Sequence, residues 1–149
     1  MSLKTRIEQD RNAAMKAQDK ERVGALRLLL SAIKQIEVDQ RIQLDDTQIL
    51  GVIEKSIKQR KESIEQFQQA KRQDLVDKEQ AEINVMQAYL PEPLSENEIN
   101  QLVQEAITST QASSMKDMGK VMSQLKPKLQ GRADLTQVSN KVKALLSSS

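Results

Sequence analysis

The chain has 149 residues, a length that fits one ordinary domain or two small ones and excludes a multidomain enzyme of several hundred residues. Its hydrophobic fraction of 38% includes one Tyr, one Phe and no Trp, so any core must be built from aliphatic side chains. A formal net charge of +2 does not by itself indicate a nucleic-acid binder, and the lack of Cys and His excludes disulfides, Cys/His zinc sites and Ser-His-Asp catalysis.

Four helices are predicted in the N-terminal part of the chain. Gly and Pro are scarce, and apolar residues recur there at spacings of three and four. Asp19 is the expected N-cap of the second helix, and Asp45, Asp46 and Thr47 form the capping cluster before the third. Pro91 and Pro93 should stop the fourth helix. The predicted helices cover approximately residues 3–17, 20–38, 48–69 and 75–90.

Three shorter helices are predicted after the two prolines. Ser95 and Ser114 open the fifth and sixth helices with capping-box spacing, and Asp134 caps the seventh. Pro127 should kink or end the sixth helix, and residues 147–149 should form a frayed tail. The sequence therefore predicts an all-α fold with a four-helix N-terminal domain at 1–90 and a three-helix C-terminal domain at 95–149.

No cofactor, metal or catalytic site is predicted. The chain contains neither G-x-x-x-x-G-K-[ST] nor G-x-G-x-x-G, the two Gly-rich motifs that bind nucleotide phosphates. The carboxylate pairs Glu79/Glu82 and Asp45/Asp46 have the residue types of metal or acid/base sites, but capping and solvated positions explain them better. Gly119, inside the sixth helix, indicates close helix packing or a site where another backbone approaches, and packing is the preferred interpretation. Met115, Met118 and Met122 lie at helical spacing and are expected to fill the core, with a partner-binding stripe as the alternative.

Basic residues concentrate near the C-terminus. Residues 115–149 contain seven Lys and Arg against two Asp, whereas residues 1–114 contain 16 against 19 Asp and Glu. The segment 126–132 combines three cations with a turn glycine, an arrangement suited to phosphate oxygens. A solvated basic face is the alternative here, and it is the preferred interpretation of a second basic cluster, Lys55, Lys58, Arg60 and Lys61. The candidate phosphate contacts are Lys116, Lys120, Lys126, Lys128 and Arg132, with Lys141 and Lys143 in the same basic region.

Two stretches resemble the GatB/YqeY family. The first is Glu82-Ile-Asn-Val-Met-Gln-Ala-Tyr-Leu-Pro91, and the second runs from Lys116-Asp-Met-Gly-Lys-Val-Met122 through Pro127-Lys128 to Gly131-Arg-Ala-Asp134. The likeness extends along the chain and is closest to free-standing YqeY-like proteins. Gln130 stands where the family often has Lys, and Leu135 where it often has Gly.

The resemblance implies an all-helical protein whose C-terminal unit is similar to the tail of the tRNA-dependent amidotransferase B subunit. That tail helps to hold tRNA. Through the larger enzyme, the family is associated with carbon-nitrogen ligase activity in which glutamine is the amido-nitrogen donor. We expect a tRNA-binding accessory protein without catalysis by this chain alone, and Lys120, Lys128 and Arg132 match the family positions best.

Two other functions stay open. One is a protein-interaction module that docks on a translation or amidotransferase partner through the apolar stripes of the second and third helices. The other is a true amide-transfer enzyme or subunit. Apolar runs reach only three residues and no apolar signal region follows Met1, so the sequence predicts a cytoplasmic protein that does not enter a membrane.

Overall fold

A computed structural model describes residues 1–147, and the prediction of an all-α fold is confirmed. Contacts divide the chain into two units, Met1–Leu90 and Pro91–Ser149. The first unit contains α1 (Leu3–Lys16), α2 (Lys20–Gln40), α3 (Asp46–Gln69) and α4 (Gln73–Gln87). The second contains α5 (Glu96–Thr110), a 3-10 helix (Met115–Asp117), α6 (Met118–Leu129) and α7 (Leu135–Ser147). The last two residues of the predicted frayed tail lie outside the described residues.

Helix ends follow the predicted caps with a few differences. Asp19 and Asp45 accept hydrogen bonds from the third residue of α2 and α3, as N-caps do. The fourth helix begins before Asp74, whose carboxylate binds Arg72 and complements the positive end of the helix dipole. Pro127 lies inside α6, which continues for two more residues because a proline so near the end interrupts little of the remaining hydrogen-bond ladder.

Aliphatic faces of all four helices form the core of the first unit. Its buried cluster consists of Ile7, Leu26, Leu29, Ile33, Ile49, Ile53, Ile57, Ile83, Met86 and Tyr89. The apolar stripes of α2 and α3 therefore pack inside the first unit. This corrects the expectation that those stripes provide a docking surface.

A buried ion pair joins α3 to α4. The Nε–H of Arg60 donates to Glu82 at 2.8 Å, and a second guanidinium N–H donates to the carbonyl of Ser56. Glu79 is also close, with its carboxylate 3.8 Å from Arg60. Glu82 is only 7% exposed, so the prediction that Glu79 and Glu82 are solvated is wrong for Glu82, and Arg60 is removed from the solvated basic cluster of α3.

Tyr89 ties the end of this unit back to α1. Its hydroxyl donates to the carboxylate of Asp10 at 2.6 Å, and the guanidinium of Arg6 lies 5.0 Å from the ring centroid. Burial, with the hydrogen bond to Asp10, raises the pKa of Tyr89 to about 12. The neutral phenol is therefore the form that the folded protein favours.

The second unit has its own aliphatic core. Val103, Val121, Leu125, Val138 and Val142 are buried at its centre, drawn from α5, α6 and α7. Met118 and Met122 pack against this cluster, as predicted, but Met115 is 43% exposed, so the prediction of a core position is wrong for Met115. Gly119 is exposed, and a Cβ added there would meet no heavy atom within 4 Å, so the prediction of close helix packing at Gly119 is wrong.

We predict that Glu82→Ala lowers the free energy of unfolding by about 3 kcal/mol, because it leaves the Arg60 guanidinium partly buried beside the more distant Glu79. Urea unfolding followed by circular dichroism measures the change. Glu62→Ala, which removes an exposed carboxylate of α3, is the matched control and should change stability little. Equal effects of the two substitutions would contradict a structural role for the pair.

The raised pKa of Tyr89 predicts an alkaline loss of stability. The contribution of the neutral phenol is complete below pH 10, the ordinary tyrosine pKa, and is lost as the pH rises towards about 12. Tyr89 is the only tyrosine, so phenolate absorbance reports this group directly. The folded protein should titrate near pH 12 and the urea-unfolded protein near pH 10. A phenolate titration midpoint near pH 10 in the folded protein would contradict the buried hydrogen bond. The Tyr89→Phe variant, which has no phenol, supplies the absorbance baseline.

Candidate nucleic-acid interface

The candidate phosphate contacts all lie between the start of the 3-10 helix and the turn before α7. Lys116 belongs to the 3-10 helix, Lys120, Lys126 and Lys128 belong to α6, and Arg132 lies in the turn. The four lysines are exposed, and Arg132 is half-buried. None of the four lysines forms an ion pair with another residue of the described part of the chain.

Asp117 organises the N-terminal side of this surface. Ser114 and Asp117 form a capping box, and the Asp117 carboxylate accepts from the backbone N–H groups of Ser113 and Ser114 at 2.9 and 3.3 Å. These two backbone hydrogen bonds, with a smaller contribution from the positive charge of Lys120, lower the pKa of Asp117. The carboxylate therefore stays ionised and offsets part of the positive charge of Lys120.

The lysines of α6 do not form one straight row. Residues two apart on an α-helix point about 200° apart, so Lys126 and Lys128 leave α6 on different sides. Lys120 lies between them around the helix, away from the core positions Val121 and Leu125. The cations therefore form a band over the solvent side of α6, which suits a broad polyanionic surface better than a single phosphate group.

Arg132 differs from the lysines because it is part of the framework of the unit. Its Nε–H donates to the carbonyl of Glu92 at 3.0 Å, and its own carbonyl accepts from the N–H of Leu94 at 2.8 Å. Gly131, just before it, is buried and has φ of 81°, a conformation that favours glycine. The turn thus holds the segment that leads into α5, a role that the spacing of cations in the sequence did not reveal.

Lys141 is also engaged within the unit. Its ammonium group donates to Asn100 at 2.8 Å and lies 3.6 Å from the Glu96 carboxylate, so it joins α7 to α5. A shallow cavity of about 340 Å³ lies beside this contact, lined in part by Glu96 and Asp134. Two carboxylates make that cavity unsuitable for phosphate.

Charge is divided between the helices of the second unit. The helix α5 contains three Glu and neither Lys nor Arg. All seven basic residues of the unit lie C-terminal to α5, from the 3-10 helix to α7. The change from acidic to basic residues near residue 115 therefore falls inside the second unit and gives it an acidic helix and basic helices.

Residues 1–147 contain no group of three or more acidic side chains placed to hold a metal ion. No helix in this range combines the length and the apolar character needed to cross a membrane.

Several curated relatives resemble this chain over much of its length. A protein of Pyrenophora tritici-repentis named "Altered inheritance of mitochondria protein 41, mitochondrial" is 32% identical over 144 residues, which are 95% of this chain and 79% of the relative. Proteins of the same name are 39% identical in Lachancea thermotolerans, over 72% of this chain and 59% of the relative, and 38% identical in Saccharomyces cerevisiae, over 66% and 55%. The matches thus span less than two thirds of the latter two relatives.

These names contradict the prediction of a cytoplasmic location, since the relatives are named as mitochondrial proteins. The prediction rests on the lack of an apolar signal region, and such a region bears on secretion. Mitochondrial transit peptides are amphipathic and rich in Arg, so that test does not address them.

The family comparison agrees with the resemblance found in the sequence. The family described as "Yqey-like protein" matches residues 4–146, which include both helical units. The chain therefore belongs to the YqeY-like protein family.

Proposed function

We propose that this protein is a tRNA-binding accessory factor, related in role to the tail of the glutamine-dependent tRNA amidotransferase. The second unit binds the RNA through phosphate groups. The observation that carries the proposal is the band of exposed lysines on the 3-10 helix and α6, which have no ion-pair partner among the described residues. The contacts are Lys116, Lys120, Lys126 and Lys128, and Arg132 adds positive charge at the turn.

The charge of this surface supports a polyanionic ligand. Lysines without carboxylate partners attract anions, and binding to a nucleic acid releases the counterions condensed on its phosphates. Asp117 is the one carboxylate between Lys116 and Lys128, and its oxygens accept backbone N–H groups. Most of the positive charge of the band is thus available to phosphates.

The composition of the second unit supports recognition by shape. Residues 91–149 contain no aromatic side chain, and base stacking on single strands relies on such side chains. The band of lysines over the solvent side of α6 instead suits the phosphates of a folded RNA. The resemblance to the amidotransferase tail favours tRNA among folded RNAs.

Binding to total tRNA should weaken steeply with salt. If about five phosphates are neutralised, the slope of log affinity against log salt is roughly −4. Lys120→Gln with Lys128→Gln should reduce the slope to about −2, because two phosphate contacts are lost. Fluorescence anisotropy with labelled tRNA measures both slopes, and circular dichroism checks that the variant is folded.

The matched control is Lys55→Gln with Lys61→Gln, which removes two exposed lysines of α3 in the first unit and should leave the slope unchanged. An unchanged slope in the Lys120 and Lys128 variant would contradict the assigned surface. Glutamine-dependent ammonia release by the pure protein would contradict an accessory role.

A further inference from the structure

The outer face of α2 has a regular pattern of cations that does not take part in the packing of the first unit. Four cations recur at intervals of seven residues, which places them about 10 Å apart along one side of the helix. All four are exposed, and none forms an ion pair within residues 1–147. These residues, called here the cationic row, are Lys20, Arg27, Lys34 and Arg41 at the C-cap.

A seam of exposed residues lies directly beside the cationic row. Its positions alternate by four and three residues, the spacing by which one helix presents a face to another in a coiled coil. Leu28 is 51% exposed and Val38 is 62% exposed, although both are large and apolar. The seam consists of Gly24, Leu28, Ser31, Gln35 and Val38.

The opposite face of α2 is already occupied. Leu26, Leu29 and Ile33 are fully buried in the core of the first unit. Glu37, also towards the unit, pairs with Lys4 of α1 at 2.7 Å. The seam and the cationic row are therefore additional to the face that folding requires.

We infer that the seam of α2 binds an acidic amphipathic helix of a partner protein. The apolar residues of that helix pack on Leu28 and Val38, and its carboxylates face the cationic row. In coiled-coil terms the four cations occupy equivalent flanking positions, where charge sets the choice of partner. This inference concerns the first unit and does not depend on the proposed binding of tRNA.

Charge argues against a second copy of this chain as the occupant. An antiparallel pair of α2 helices would place one cationic row against the other. A parallel pair would place it against Ala25, Ala32 and Asp39, and Asp39 already accepts hydrogen bonds from Gln35. The antiparallel arrangement neutralises none of the row and the parallel arrangement only one of its four cations, whereas a helix with glutamates at its flanking positions neutralises all of it.

The apolar part of the seam argues for a protein helix over a nucleic acid. Phosphates would engage the cationic row but would leave Leu28 and Val38 exposed to water. Met15 of α1 enlarges the apolar surface, since it is 47% exposed and its sulfur lies 3.9 Å from the guanidinium of Arg27. A helix that is apolar on one face and acidic on its flanks engages both parts.

Gly24 fits the same interpretation. Glycine within a helix is unfavourable relative to alanine, and a Cβ added at Gly24 would meet no heavy atom within 4 Å. Packing inside the unit therefore gives no reason for a glycine at this position. In the seam it leaves a depression that accepts a side chain from the opposing helix.

The test uses the full-length protein and a designed, labelled helical peptide as probe. The peptide has Leu at its heptad a and d positions and Glu at its e and g positions, so its own charges oppose self-association. Anisotropy should detect saturable binding that weakens with salt. Arg27→Glu with Lys34→Glu, and separately Val38→Asp, should each raise the Kd about tenfold.

Two controls define the result. A scrambled peptide of the same composition should bind far more weakly, and Lys55→Glu with Lys61→Glu should leave the Kd unchanged. Absence of peptide binding, or equal losses in the control variant, would overturn the inference. The variant with Arg27→Glu and Lys34→Glu is also tested with tRNA and with anionic lipid vesicles. If this variant binds the peptide normally but no longer binds tRNA or the vesicles, the inference is overturned and the cationic row is assigned to the ligand whose binding was lost.

Discussion

Burial of aliphatic side chains on one face of each helix is the constraint on which this structure depends. The chain has no Trp, Cys or His, so Ile, Leu, Val and Met must supply the apolar area in both units. Each fully buried Leu or Ile contributes about 1.5–3 kcal/mol relative to an exposed one. Because folding uses the inner faces, both proposed binding surfaces, the lysine band of α6 and the seam of α2, lie on outer faces.

Polar contacts between helices add specificity to these aliphatic cores. Hydrophobic contacts are non-directional, so they tolerate a helix sliding by a turn more readily than a hydrogen bond does. The pairing of Arg60 with Glu82 fixes α3 against α4, and the hydrogen bond from Tyr89 to Asp10 fixes the end of the first unit against α1. In the second unit, Arg132 and Lys141 do the same for the segment before α5 and for α7.

The sequence predicted the helices well because their causes are local. Periodic apolar residues and the caps Asp19, Asp45 and Ser95 set most boundaries to within a few residues. The role of Glu82 was not predictable in this way, because its partner lies 22 positions away on another helix. The roles of Arg132 and Lys141 were not predictable either, because their partners also lie far away in the sequence. Binding of RNA by the candidate phosphate contacts stays a prediction.

The separation of charge within the second unit bears on how a ligand arrives as well as on how it is held. An acidic α5 beside basic helices gives the unit an electric dipole. In the field of a polyanion that dipole experiences a torque, which turns the lysine band towards the ligand and α5 away before contact. For the proposed RNA ligand, removing the glutamates of α5 would therefore reduce the orientational selection during encounter, while leaving the proposed phosphate contacts of the lysine band in place.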